Sequence, residues 1–140
     1  MPKAYLDSIE QHSRECREDL DALSVMAAER PFSRIERRAA ERALQVLIEA
    51  CIGAAKFWLK AEHLNLPLDA YESFAKLAEL QKISLNELKQ WRKIVGMRNA
   101  LVHDYLTIDA DLLRTVLAER SYDFLIDFIL KVKQQCTPQH

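Results

Sequence analysis

"RIERRAAERALQVLIEACIGAAKFWLKAEHL", residues 34–64, contains no proline and one glycine, and from Ala43 to Leu59 it is apolar on nearly every face of a helix. Such a helix needs cover on several sides, so this stretch is expected to be the spine of the core. Ser33 followed by Glu36 has the spacing of a capping box and sets its start. The most apolar window, "ALQVLIEACIGAAKFWLK", contains Glu49 and Lys56 and is enclosed by further charges, too short and too charged to span a bilayer.

Upstream, Leu6, Ile9, Ser13, Cys16, Leu20, Leu23 and Ala27 recur at alternating spacings of three and four until Pro31, which predicts an amphipathic first helix. Downstream, Pro67 breaks the chain, and Asp69 with Glu72 precedes a short helix through Tyr71, Phe74, Leu77 and Leu80. Ser84 and Glu87 open a fourth helix in which Leu85, Leu88, Trp91, Val95 and Val102 keep to one side. Asp109 can cap a last helix carrying Leu112, Leu113, Val116, Leu117, Leu125, Phe128, Ile129 and Val132. No segment reads as a strand. The expected architecture is all-α, an up-and-down bundle of about five helices, with residues 1–140 as one domain.

A chain of 140 residues buries roughly 70% of its unfolded surface, enough for a core without metal or disulfide. Its net charge of −1 excludes coating nucleic acid by charge alone, so any phosphate site must be local. Cys16, Cys51 and Cys136 are odd in number and lack metal-ligand spacing; they read as small buried thiols in a reducing cytosol. No Glu-x-x-His pair occurs, His12, His63 and His140 stand apart from any ligand spacing, and Gly53 and Gly96 cannot form a glycine-rich phosphate loop. No metal and no cofactor are expected. The N-terminus lacks the apolar run of a signal peptide, so the expected location is the cytoplasm, without a membrane partner.

Polar residues cluster in "MRNALVHDYLTID", residues 97–109. Trp91, Val95, Arg98, Val102 and Tyr105 are spaced 4, 3, 4, 3, which puts Arg98 in an apolar stripe. A guanidinium there needs a carboxylate such as Glu41 or Glu49, an anionic ligand, or an aqueous cleft. Arg92, Gly96, Asn99 and His103 form a second, polar stripe about 100° away. Gly96 within it suits either a helix-packing contact or the close approach of another subunit or a phosphate. Arg98 and His103 are five residues apart, roughly 140° around an ideal helix. They meet only if the helix ends near His103 or a two-fold dimer opposes the stripes.

Metal-free RNA cleavage needs a base for the 2′-hydroxyl, an acid for the departing 5′-oxygen, and a cation for the charge on phosphorus. Histidine, with an unperturbed pKa of about 6.5, suits the first two, and the arginine fork suits the third. One candidate histidine per chain becomes two in a dimer.

Arg98, four residues, His103, one residue, Tyr105 is the R-x4-H-x-Y signature of the HepT-like toxins of the HEPN superfamily, and the chain resembles that family from about residue 33 to 132. The resemblance implies a homodimer with a cleft at its interface and a metal-independent endoribonuclease acting as toxin in a type VII-like HepT/MntA pair. Its partner would be an MntA-like nucleotidyltransferase antitoxin that adenylylates Tyr105. Carried over by position, Arg98 would polarise phosphate, Asn99 would orient phosphate or the 2′-hydroxyl, and His103 would be the acid/base residue. Tyr105 would be the modified hydroxyl beside them.

Lys89, Arg92 and Lys93 form a small basic region that could guide an RNA backbone. The run "ERPFSRIERRAAER" puts Arg34, Arg38 and Arg42 on one helix face, with interleaved glutamates, and reads as a solvated face or a binding patch. Two other readings compete: a non-catalytic nucleotide- or substrate-binding subunit of a nucleotidyltransferase, and a helical interaction module without ligand chemistry.

Overall fold

The computed structural model describes residues 2–65, 69–103 and 109–137, and within them six helices and no strand. These are α1 (Pro2–Glu29), α2 (Arg34–Ala61), α3 (Ala70–Glu79), α4 (Leu85–Val102), α5 (Ala110–Ala118) and α6 (Asp123–Cys136). Both serine boxes form reciprocally: Ser33 with Glu36 at the start of α2, and Ser84 with Glu87 at the start of α4. Asp69 and Asp109 also cap, accepting from the N–H groups of Tyr71 and Asp111.

The sequence predicts one last helix where the structure has two. Arg120, with φ of 55°, closes α5: its N–H donates to the Leu117 carbonyl, and the Ser121 N–H donates to the Val116 carbonyl. That is the double hydrogen bond of a Schellman turn. His63 closes α2 in the same way and Gln81 closes α3, both with φ of 60°. These turns are usually marked by glycine. Here none is, and the break between α5 and α6 is therefore silent in the sequence.

The long apolar helix is the spine: α2 packs against each of the other five helices. Leu44, Leu47, Ile48, Cys51, Ala55 and Leu59 are buried along it. Trp91 fixes α4 to this core. Its ring stacks on Phe74 at 4.0 Å and 11°, with Phe128 edge-on at 4.8 Å.

α4 packs its backbone on α2 and α3 but does not closely approach α5 or α6. Its buried stripe is correspondingly narrow, with Trp91 and Val95 inside but Leu85 72% and Val102 44% exposed. Leu112 of α5 is also half exposed. The gap is a trough of about 690 Å³, with Ile94, Met97 and Ala100 on one wall, Leu112 and Val116 on the other, and Leu44 among the residues lining it. Among the described residues no helix is long and apolar enough to cross a membrane.

Candidate functional site

Arg98 continues the Trp91–Val95 row where α4 emerges from the core, and its side chain is 22% exposed. Of the partners the sequence offers, the structure selects Glu49: its Oε1 lies 3.0 Å from Arg98 Nε, while Glu41 faces Arg37 at 3.9 Å. The buried Arg98 Nε–H makes no hydrogen bond, so proximity of opposite charge, not a directed bond, joins the pair. Arg98 Nη1 donates to Asn99 Oδ1 at 3.0 Å. Among the described residues the Nη2 end has no hydrogen-bond partner, which leaves one edge of the fork available to an anion.

The helix ends one residue before the motif histidine. His103 donates its N–H to the Asn99 carbonyl and then turns to extended backbone, with φ −94° and ψ 109°. The helix therefore places the backbone as far as the His103 Cα, and the extended ψ redirects only the chain that follows. Asn99 and His103 are both exposed. Tyr105 lies outside the described residues.

The basic trio is exposed along α4, but its members differ. Arg92 sits over the Tyr71 ring at 5.2 Å, a cation–π contact, whereas Lys93 borders the apolar trough and Lys89 stands on open surface. Among the described residues Gly96 serves no packing contact, because a Cβ there would meet none of them within 4 Å. Packing instead explains Gly53, where a Cβ would approach the Tyr5 hydroxyl to 3.2 Å.

Burial governs the three thiols. Burial raises the Cys51 thiol well above its usual range, and burial with the Glu62 carboxylate pushes Cys136 up to about 11. Burial, with Asp19 and Glu15, raises Cys16 as well. Thiols so held are poor nucleophiles near neutrality. The trough is what sequence reasoning missed: apolar residues spaced for a core do not announce that the facing helix stands off.

Residues 3–132 match the family described as Ribonuclease HepT-like. The mRNA nuclease HepT of Shewanella oneidensis strain MR-1 is 33% identical over 81 residues, 58% of this chain and 61% of that protein, so the alignment spans less than two thirds of the relative. The fold is similar to a tri-AMPylated Shewanella oneidensis HEPN toxin solved in complex with MNT antitoxin, with TM-score 0.82, 22% identity, and coverage of 93% of this chain and 97% of that one. A toxin–antitoxin crystal structure with AMP-PNP superposes equally well, at TM-score 0.82 and 21% identity over 94% of this chain and 98% of the other.

Proposed function

The chain belongs to the HepT-like ribonuclease family, and from that premise we propose that it is a metal-independent endoribonuclease, the toxin of a HepT/MntA toxin–antitoxin pair, acting in the cytoplasm. One observation carries the reading. Arg98 is fixed from behind by Glu49 and from the side by Asn99, its Nη2 edge is unused, and His103 follows at the helix end.

In this reading Arg98 forks the scissile phosphate and Asn99 helps to orient it. His103 takes the proton of the 2′-hydroxyl, the 2′-oxygen attacks phosphorus, and the 5′-oxygen leaves with a proton from the His103 of a second copy. The products are a 2′,3′-cyclic phosphate and a 5′-hydroxyl end. The second copy docks over the trough beside α4, where Val102 and Leu112 expose apolar surface next to the polar stripe. Lys89, Arg92 and Lys93 guide the RNA strand.

The antitoxin is a small MntA-like nucleotidyltransferase that transfers AMP to Tyr105. The added phosphate beside Arg98 competes for the cation that RNA needs.

The test is cleavage of total cellular RNA by the purified chain in EDTA, beside its His103→Ala variant. Cyclic-phosphate ends that vanish in the variant are expected. A folded, unmodified protein that leaves RNA intact would overturn the nuclease reading in favour of a nucleotide-binding subunit.

A further inference from the structure

A second recess, about 280 Å³, opens between the start of α2 and the start of α5, lined by Phe32, Ser33, Arg34, Arg37, Asp111 and Arg114. Three arginine residues thus line one space with a single acidic one. Arg114 donates Nε to the Ala27 carbonyl at 2.7 Å, which fixes its plane, and among the described residues its Nη groups have no hydrogen-bond partner. Arg37 is loosely paired, with Glu41 3.9 Å away. Among the described residues neither Arg34 nor Arg114 has a carboxylate within ion-pair distance, since Glu36 is taken by Arg30 in a two-pronged pair of 2.6 and 2.7 Å.

The helix ends are not the attraction. Ser33 and Asp109 already accept from N–H groups of their own first turns. What remains is three cations around a half-enclosed space, whose mutual repulsion an external anion relieves. Planar guanidinium forks select phosphate-type oxygens.

Position decides which phosphate. The first turn of α5 separates the two cavities: Asp109 and Leu112 border the apolar trough, while Asp111 and Arg114 border the arginine recess. The far wall of the trough is Met97 and Ala100, flanking Arg98 and Asn99 in the chain. Arg98 sits against Glu49, twelve residues along α2 from Arg37, or about 18 Å at 1.5 Å per residue, a span of a few nucleotides. Lys89 stands on open surface without such an enclosure, and Lys93 borders the trough, whose other lining is largely apolar.

We propose that Arg34, Arg37 and Arg114 form a phosphate subsite that grips the RNA backbone a few nucleotides from the cut. This rests on the ribonuclease reading. The residues do not touch the reacting atoms; they set how long an RNA must be to bind well. A free mononucleotide could offer the same phosphate chemistry, and the test separates the two.

Binding of a labelled single-stranded RNA of about ten nucleotides is measured by anisotropy on the non-cleaving His103→Ala protein, against salt. Arg34→Glu and Arg37→Glu should each weaken binding roughly tenfold and reduce the logarithmic salt slope by about 0.7 for every phosphate no longer neutralised. Arg38→Glu, the same charge change on the same helix outside the recess, should stay within about twofold. In the cleaving protein Arg34→Glu should raise KM for the long RNA and leave dinucleotide cleavage unaltered.

Equal losses from Arg38→Glu, or no loss from Arg34→Glu and Arg37→Glu with melting curves unchanged, would overturn the subsite. So would AMP binding that depends on Arg34 while RNA binding does not. Arg34-dependent RNA binding by a wild-type chain that cuts nothing would support the subsite and remove only the nuclease reading.

Discussion

Arg98 Nε lies 3.0 Å from Glu49 Oε1, so the cation at the exposed end of α4 is tied to the spine of the bundle before any substrate arrives. Glu49 holds the guanidinium by charge, Asn99 takes Nη1, and among the described residues Nη2 has no hydrogen-bond partner. Arg98→Ala should therefore lower RNA cleavage by about two to three orders of magnitude, as loss of a transition-state donor does. Glu49→Gln keeps the shape and removes the charge, and cleavage should fall roughly tenfold. Glu49 is 48% exposed, so the stability cost should be at most about 1 kcal/mol in urea unfolding. A fully active Glu49→Gln protein would mean that Asn99 and packing hold Arg98 unaided.

Gly96→Ala should stabilise the fold and impair the site. Open space surrounds the new methyl, so relief of the helical glycine should add about 0.5–1 kcal/mol to unfolding. The methyl would stand in the stripe of Arg92, Asn99 and His103, which the proposed second copy or RNA must approach. Thermal melts, cleavage rates and sedimentation read the two effects separately, and a variant both more stable and fully active would show that this stripe meets nothing.

Gln81 holds φ of 60° to close α3, a conformation that costs an L-residue about 1 kcal/mol, and it is exposed. Gln81→Gly should therefore raise the urea midpoint, against the usual direction for glycine. Arg120→Gly should gain less, because Arg120 also pairs with Asp21 at 2.9 Å and Asp123 at 3.2 Å. A Gln81→Gly midpoint at or below the parent's would refute the argument.

Alkali acts on the α1–α6 contact. Burial, then the Asp21 carboxylate accepting its hydrogen bond at 2.5 Å, pushes the Tyr122 hydroxyl up to about 12 from an ordinary 10. A folded value above the unfolded one means that the contribution is complete below pH 10 and is lost as pH rises from 10 towards 12. Tyr122→Phe should cost roughly 1–2 kcal/mol at pH 7 and flatten that alkaline loss. Equal alkaline slopes in the two proteins would contradict it.

Acid acts at the start of α2. Hydrogen bonds from Arg30, and then from the Ser33 N–H, hold Glu36 down at about 2 from an ordinary 4.5. A depressed folded value means that the stabilisation is present above pH 4.5 and is lost as pH falls towards 2. Arg30→Ala should move the Glu36 carbon resonance midpoint back towards the ordinary value in an NMR titration. An unmoved midpoint would assign the depression to the Ser33 N–H.

The periodic apolar residues made α1 to α4 legible, and the serine–glutamate spacings placed two helix starts to the residue, because both signals are local. The division of the last helix was not, because Arg120 supplies a left-handed turn that the chain's two glycines do not. Arg98 was legible as a cation needing a carboxylate, and Glu49 was one of two named. The recess is half legible: Arg34 shares a helix face with Arg38 and Arg42, but Arg37 and the distant Arg114 complete it. Arg114 arrives through tertiary packing, which no spacing within α2 can encode.

The rings that seat Trp91 have a consequence in time. Phe124 and Phe128 lean against it from α6, so α4 is wedged by residues made after Arg98, Asn99 and His103. A nascent chain reaching residue 103 carries the arginine and the histidine without the α6 rings that seat Trp91. A chain that ends before α6 lacks those rings, so the helix carrying Arg98 gains its full seating only when the last helix has emerged.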